Sequence, residues 1–158
     1  MSMLPLVHYE CVDDYRAHYL RKYCRGNIQT ADGIRVFFKP ESFEHAFYES
    51  TARDGRKNAF SLIRAQRIDW IGATIEHPQA TLLAGWMKQT RSYDHTRRVA
   101  VVYEDFVVVI GLRLNAHGTL KANFVTCYQA DNSMAKIRNS PAWDRAACLR
   151  ALSVGRQP

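Results

Sequence analysis

The sequence predicts an α+β fold in which N-terminal helices pack on an antiparallel β-meander of about four strands. Two observations carry that prediction. Apolar residues recur at helical spacing between residues 10 and 76, and β-rich runs separated by short turns follow from residue 99 onward. The chain has 158 residues and is 47% apolar, enough for one core, since a domain of this length buries roughly 70% of its unfolded surface. No repeat, low-complexity tract or Pro/Gly-rich linker marks a second domain. The organisation expected is an accessory N-terminal helix over 1–30, a main domain over 31–140 and a helical tail over 141–158.

The elements follow in order. Between Glu10 and Cys24, the apolar residues Tyr15, Tyr19, Leu20 and Tyr23 read as one face of a helix that stops before Arg25-Gly26-Asn27. After the turn signal Ala31-Asp32-Gly33, Ile34 to Phe38 has strand composition and ends at Pro40. Ser42 to Tyr48 is a short helix with Phe43, Ala46 and Phe47 on one side. A longer helix is expected from Asn58 to Glu76, with Phe60, Ile63, Ile68, Ile71 and Ile75 as its apolar stripe and Pro78 enforcing the stop. Leu82 to Trp86 reads equally as strand or helical turn, and Ser92 to His95 reads as loop. Val99–Tyr103, Phe106–Leu112 and Leu120–Tyr128, joined by Glu104-Asp105 and by Asn115 to Gly118, form the meander, which the long helix is expected to cover.

Charge points to a class of partner. The chain carries 22 basic and 15 acidic side chains, a formal +7, and residues 53–98 hold nine of the basic against four of the acidic ones. Counterion release and long-range attraction draw a polyanion to such a region, which makes nucleic acid the candidate partner; solvation of exposed helix faces is the alternative. The longest apolar run, Phe106 to Leu112, is seven residues, far short of the ~20 that a membrane helix needs. The N-terminal stretch has neither the basic leader nor the apolar run of a secretory signal, so a cytoplasmic protein is expected. Cys11, Cys24, Cys127 and Cys148 form no Cys-x-x-Cys pair, which favours reduced thiols, and His8, Cys11, His18 and Cys24 are too irregularly spaced for a usual zinc site. Phosphate-loop, dinucleotide, zinc-protease and nucleophile-elbow motifs are absent. The basic half also lacks close-set acids of the kind two-metal nucleases use, so cleavage of nucleic acid would proceed without metal.

Three features break their local pattern. At about 100° per residue, Arg64 falls on the apolar stripe between Phe60, Ile71 and Ile75. Either it snorkels or pairs inside the fold, or the stripe opens there onto a cleft where a guanidinium holds a phosphate. Along the last strand Leu120, Ala122 and Phe124 alternate, and an unbroken alternation continues their face as Thr126 and Tyr128; this is ordinary strand composition or a hydroxyl pair that binds phosphate. His45 projects away from Phe43 and Phe47, as a surface histidine or as a proton carrier in a cleft.

The order of these features carries a resemblance. His45 on a helix is followed by Ala59-Phe60-Ser61-Leu62-Ile63-Arg64-Ala65-Gln66-Arg67-Ile68-Asp69-Trp70-Ile71 and His77-Pro78. The closing strand is Asn123-Phe124-Val125-Thr126-Cys127-Tyr128. Over about residues 33–140 the chain resembles the barnase–EndoU–colicin–RelE-like (BECR) nucleases, and is most similar to their phage-associated branch. The resemblance implies metal-independent endoribonuclease activity without a cofactor, in which a ribose 2′-hydroxyl attacks the phosphate to leave a 2′,3′-cyclic phosphate. It implies His45 as acid or base, Arg64 as phosphate stabiliser, Thr126 as a positioning hydroxyl and Tyr128 as acid, orienter or stacking platform. Lys39, Lys57 and Arg67 are further candidates for holding the RNA backbone. The implied setting is a toxin or phage-encoded effector, with RNA, transfer RNA among the candidates, as partner and a cognate inhibitor or immunity protein as a second one. The alternative class is a non-catalytic RNA- or protein-binding module with a basic surface.

Overall fold

Three tyrosines spaced four residues apart decide where the N-terminal helix lies. The structure, a computed structural model, describes residues 4–49, 59–87, 91–130 and 134–154, with backbone alone at 86, 87, 94–96 and 154. Helix α1 (Val12–Tyr19) runs directly into a five-residue π-helical turn, Leu20–Cys24. Tyr15, Tyr19 and Tyr23 are at most 2% exposed. A buried phenol must satisfy its hydroxyl, and these donate to the carbonyls of Val7, Lys39 and Ile68 respectively. The three rings stand in the same core as the sheet.

The elements that follow are β1 (Ile28–Gln29), β2 (Arg35–Phe37), α2 (Ser42–Phe47), β3 (Tyr48–Glu49) and β4 (Ala59–Phe60). Next come α3 (Leu62–Gln66) and α4 (Ile68–Glu76), then β5 (Thr81–Met87), β6 (Ser92–Tyr103), β7 (Phe106–Leu114) and β8 (Leu120–Gln129). Helices α5 (Met134–Arg138) and α6 (Arg145–Val154) close the described chain. The class is α+β, as the sequence predicts, but the finer architecture differs in two respects. The main sheet has six strands in the order β1-β2-β8-β7-β6-β5 and is mixed, because β2 pairs parallel with β8 through Val36 and Ala122. Helices also lie at the C-terminal end. Strand β2 falls within the Ile34–Phe38 run expected as strand, whereas its parallel pairing and the two-residue β1 carry no readable alternation; Ile28 and Val36 are buried in the core with the helices.

The helix expected over Asn58–Glu76 is broken. Ala59 and Phe60 pair as a strand with Tyr48 and Glu49, and Ser61 caps α3 by accepting from the Arg64 amide at 3.3 Å. At Arg67 the backbone leaves helical geometry (φ −97°, ψ 22°). The N-terminal segment fills the gap, the Val7 amide donating to the Gln66 carbonyl at 2.8 Å. The break resets the phase of the stripe: Ala65, Ile68, Ile71 and Ile75 are buried, whereas Ile63, expected inside, is 64% exposed.

Ser92–His95, expected as loop, belongs to β6 and pairs with β5. Between Ala84 and Gly85 the register jumps, Ala84 facing Val99 and Gly85 facing Asp94, so residues 95–98 have no β5 partner. The larger core lies between the sheet and α1, α2, α4 and α6. A smaller cluster, Leu83, Val102, Val107 and Ala130, covers the opposite sheet face beneath Met134 and Ile137 of α5. All four cysteines are free thiols. Among the described residues no helix is long and apolar enough to cross a membrane.

Candidate nucleic-acid site along strand β8

Strand β8 has two environments along its length. Lys121, Ala122 and Asn123 are flanked by β2, but beyond Asn123 the outer edge of β8 has no strand partner among the described residues. Of the expected site residues, Thr126 and Tyr128 lie on this part of β8, and His45 and Arg64 lie on the helices packed beside it.

His45 sits on the exposed side of α2, whose opposite side buries Phe43, Ala46 and Phe47. It lines an open hollow of about 490 Å³ with Glu41, Glu44 and Tyr48. Two carboxylates in that hollow oppose the approach of an anion. Glu44 is partly answered by Arg16 at 3.3 Å.

Arg64 links the two neighbouring helices. Its Nη1 donates to the Ala46 carbonyl at 3.3 Å, and its Nε lies 3.6 Å from a Glu49 carboxylate oxygen. The side chain is 24% exposed, and Nη2 has no protein partner among the described residues. A guanidinium has five N–H donors in a rigid fork, so two can fix α2 to α3 while others stay available. The packing and phosphate-holding readings of Arg64 are compatible.

Thr126 and Tyr128 do not continue the face of Leu120, Ala122 and Phe124. Thr126 pairs with Val109 and Phe124 with Ile110, leaving Val125 as an extra residue on β8. This β-bulge inverts the parity of the strand. Cys127 therefore takes the core face, and Tyr128 packs with the cluster on the opposite face. There Thr126 and Tyr128 line a hollow of about 260 Å³ with Arg98, Gly85, Ala100 and Ser140. Burial pushes the Tyr128 hydroxyl above the usual phenol range, and the Arg64 charge opposes that rise. Burial likewise pushes the Cys127 thiol up to about 12, again with Arg64 opposing. One guanidinium thus acts on groups of both sheet faces at the C-terminal half of β8.

No family model, no curated protein and no solved structure matches this chain. The site is therefore read from its own geometry. His45 and Arg64 adjoin through Ala46, and Arg64 is electrostatically linked to Tyr128. Thr126 shares the outer hollow with Tyr128, whereas His45 lines a separate one.

The remaining backbone-holding candidates are placed as follows. Lys39 is exposed. Arg67 is used internally, its Nη1 donating to the Ile63 carbonyl at 2.8 Å and its guanidinium lying 5.1 Å from the centre of a Trp70 ring. Lys57 lies outside the described residues. The sequence reading assigns no role to Arg98. Strand parity was the available signal: with Val99 and Val101 turned to the core, Arg98 and Ala100 must share the outer face. Among the described residues no group of three or more His, Cys, Asp or Glu side chains comes together to hold a metal ion.

Proposed function

We propose that the protein is a metal-independent endoribonuclease acting in the cytoplasm, with the free edge of β8 as its site. The observation that carries the reading is the placement of Arg64, which donates to the Ala46 carbonyl beside His45 and sits on the helix packed against β8, the strand that bears Thr126 and Tyr128. Cleavage of this kind needs a base to take the 2′-hydroxyl proton, a cation for the phosphoryl oxygens, and an acid to give a proton to the departing 5′-oxygen. In this reading the 2′-oxygen bonds to phosphorus as the bond to the 5′-oxygen breaks, leaving a 2′,3′-cyclic phosphate and a 5′-hydroxyl. His45 takes the first proton, Arg64 holds the phosphate, and Tyr128 donates the second, with the Arg64 charge opposing the rise that burial gives the phenol. Thr126 positions the substrate. A toxin-like or phage-encoded role, with an inhibitor protein as partner, belongs to the same reading.

The test is cleavage of transfer RNA and bulk RNA in excess chelator, with the ends examined for cyclic phosphate. Arg64→Ala should lower kcat by about a hundredfold or more, the scale found for loss of a charge-stabilising donor. Cleavage by Arg64→Ala and His45→Ala at the wild-type rate would remove both from the chemistry.

A second reading, a non-catalytic RNA- or protein-binding module with a basic surface, is favoured by Glu41 and Glu44, whose carboxylates oppose the approach of a phosphate to His45. It predicts salt-sensitive retention of uncut RNA.

A further inference from the structure

The outer hollow beside β8 has the features of a site for one flat ring attached to an anion. Its floor is the sheet itself at Gly85 and Ala100, where small side chains leave the backbone layer open. Gly85 is required there, because a Cβ at this position would lie 2.5 Å from the Arg98 Cβ. The missing side chain lets the unpaired stretch of β6 fold close to β5 and brings Arg98 into the same hollow. Tyr128 supplies an aromatic wall, and the hydroxyls of Thr126 and Ser140 supply hydrogen-bonding groups. Arg98 has no carboxylate partner among the described residues. The hollow, at about 260 Å³, is smaller than the roughly 300–1,000 Å³ of sites that take drug-sized ligands. A second hollow of about 250 Å³, lined by Tyr93, Lys136, Ile137 and Ser140, adjoins it through Ile137 and Ser140.

We propose that this outer groove is a nucleobase subsite for single-stranded RNA. One base stacks on Tyr128 over Ala100, its edge meets Thr126 and Ser140, and its phosphate meets Arg98. The inference rests on the ribonuclease reading for its substrate class, and it adds the part of the molecule that would choose between bases. A base must be unstacked to enter, so paired RNA is excluded, and aromatic stacking with a cation at the rim is the combination that single strands engage. Tyr93 and Lys136 repeat the pairing of aromatic and cation in the neighbouring hollow, which gives the groove room for a second nucleotide.

The test uses the four nucleoside 3′-monophosphates and inorganic phosphate as probes, with amide chemical shifts of the full chain as readout. Nucleotides should move the amides of 84–85, 98–100, 126–128 and 140 at concentrations where phosphate moves none of them. One base should bind at least several-fold better than the others. Arg98→Ala should weaken that nucleotide by about tenfold, the size of one charge-assisted hydrogen bond, and raise KM for RNA with kcat within about twofold. Ala100→Phe, checked by its unfolding midpoint, should block the groove and erase the base preference. If RNA is cut while both variants keep wild-type KM and base preference, the subsite is wrong and the nuclease reading stands. If nucleotides bind here and Arg98→Ala weakens them but no RNA is cut, the nuclease reading is wrong and the subsite stands. Equal shifts with phosphate alone would overturn the base subsite.

Discussion

The hydroxyl of Tyr23 stands inside the backbone ladder of α4, donating to the Ile68 carbonyl at 2.5 Å and accepting from the Gly72 amide at 3.0 Å. Residues 68 and 72 are the pair that bond to each other in an uninterrupted α-helix. A side chain from the N-terminal helix therefore occupies a backbone position of the helix that covers the sheet. Glycine at 72 leaves the room, since a Cβ there would lie 3.1 Å from the Tyr23 ring and 3.3 Å from its hydroxyl. Gly72→Ala should destabilise the protein by roughly 1–3 kcal/mol through overpacking, although alanine is the better helix former by about 1 kcal/mol. Tyr23→Phe should cost about 1–2 kcal/mol, because it leaves a buried carbonyl and amide that recover only part of the loss by bonding to each other. Urea unfolding with unchanged slope checks both, and a stabilised Gly72→Ala would refute the insertion.

Asp69 joins the same two helices by charge. It accepts from Lys22 Nζ at 2.8 Å and from His18 Nε2 at 2.7 Å, while His18 Nδ1 lies 2.9 Å from the Tyr9 hydroxyl. Burial alone would push the carboxyl pKa up, but the hydrogen bonds and charges of Lys22 and His18 outweigh it, and the pKa is lowered. A lowered folded pKa contributes stability that is complete above the unfolded value of about 3.9 and is lost as pH falls through the folded one. Stability should therefore drop below about pH 4, and Asp69→Asn should flatten that acid limb while lowering stability at neutral pH. Urea midpoints between about pH 2 and 7 test this; an acid limb identical in the variant would exclude Asp69 as its source.

These contacts mark what periodicity reveals and what it hides. The buried tyrosines from Tyr15 to Tyr23, the apolar side of α2 and the existence of the β-rich runs from Val99 onward follow from spacing and composition. The break at Arg67 does not, because its cause is the Val7 amide arriving from a distant segment. The parallel partner of β8 is hidden for a similar reason: three residues of β2 carry no readable alternation. At the site, Arg64, Thr126 and Tyr128 were legible as residues that break a pattern. Their faces were not, since counting in twos assumes an unbroken ladder.

Val125 makes that last point testable. As the extra residue of the bulge, it lets Phe124 and Cys127 share the core face although they are three positions apart. Deleting Val125 removes the bulge and leaves Phe124 and Cys127 two positions apart, so strict alternation then keeps Cys127 inside and Tyr128 outside. The deletion should therefore retain cooperative unfolding at a cost of about 1–3 kcal/mol, below the range reserved for damage to the core. Val125→Ala keeps the bulge and should cost less, since Val125 is only half-buried. Loss of cooperative urea unfolding on deletion would show that the residue count after Phe124 does not set the strand's facing.

Glu49 bears on how firmly Arg64 is committed to the fold. The pair is 3.6 Å apart, with Glu49 52% exposed and Arg64 24% exposed. Ion pairs with such access to water contribute about 0.2–1 kcal/mol and weaken with salt. A phosphate that takes the same guanidinium must displace that carboxylate and also feels its repulsion. Glu49→Gln keeps the size of the side chain and removes the competition, so RNA should bind up to about fivefold more tightly at low ionic strength, with the gain shrinking as salt rises. Combining it with Arg64→Ala isolates the pair: in that background the Glu49→Gln gain should fall to the small residue expected from net charge alone. Filter binding of a single-stranded RNA across a salt series reads all four proteins. A gain that persists undiminished without Arg64 would mean that Glu49 repels RNA directly and does not restrain the arginine.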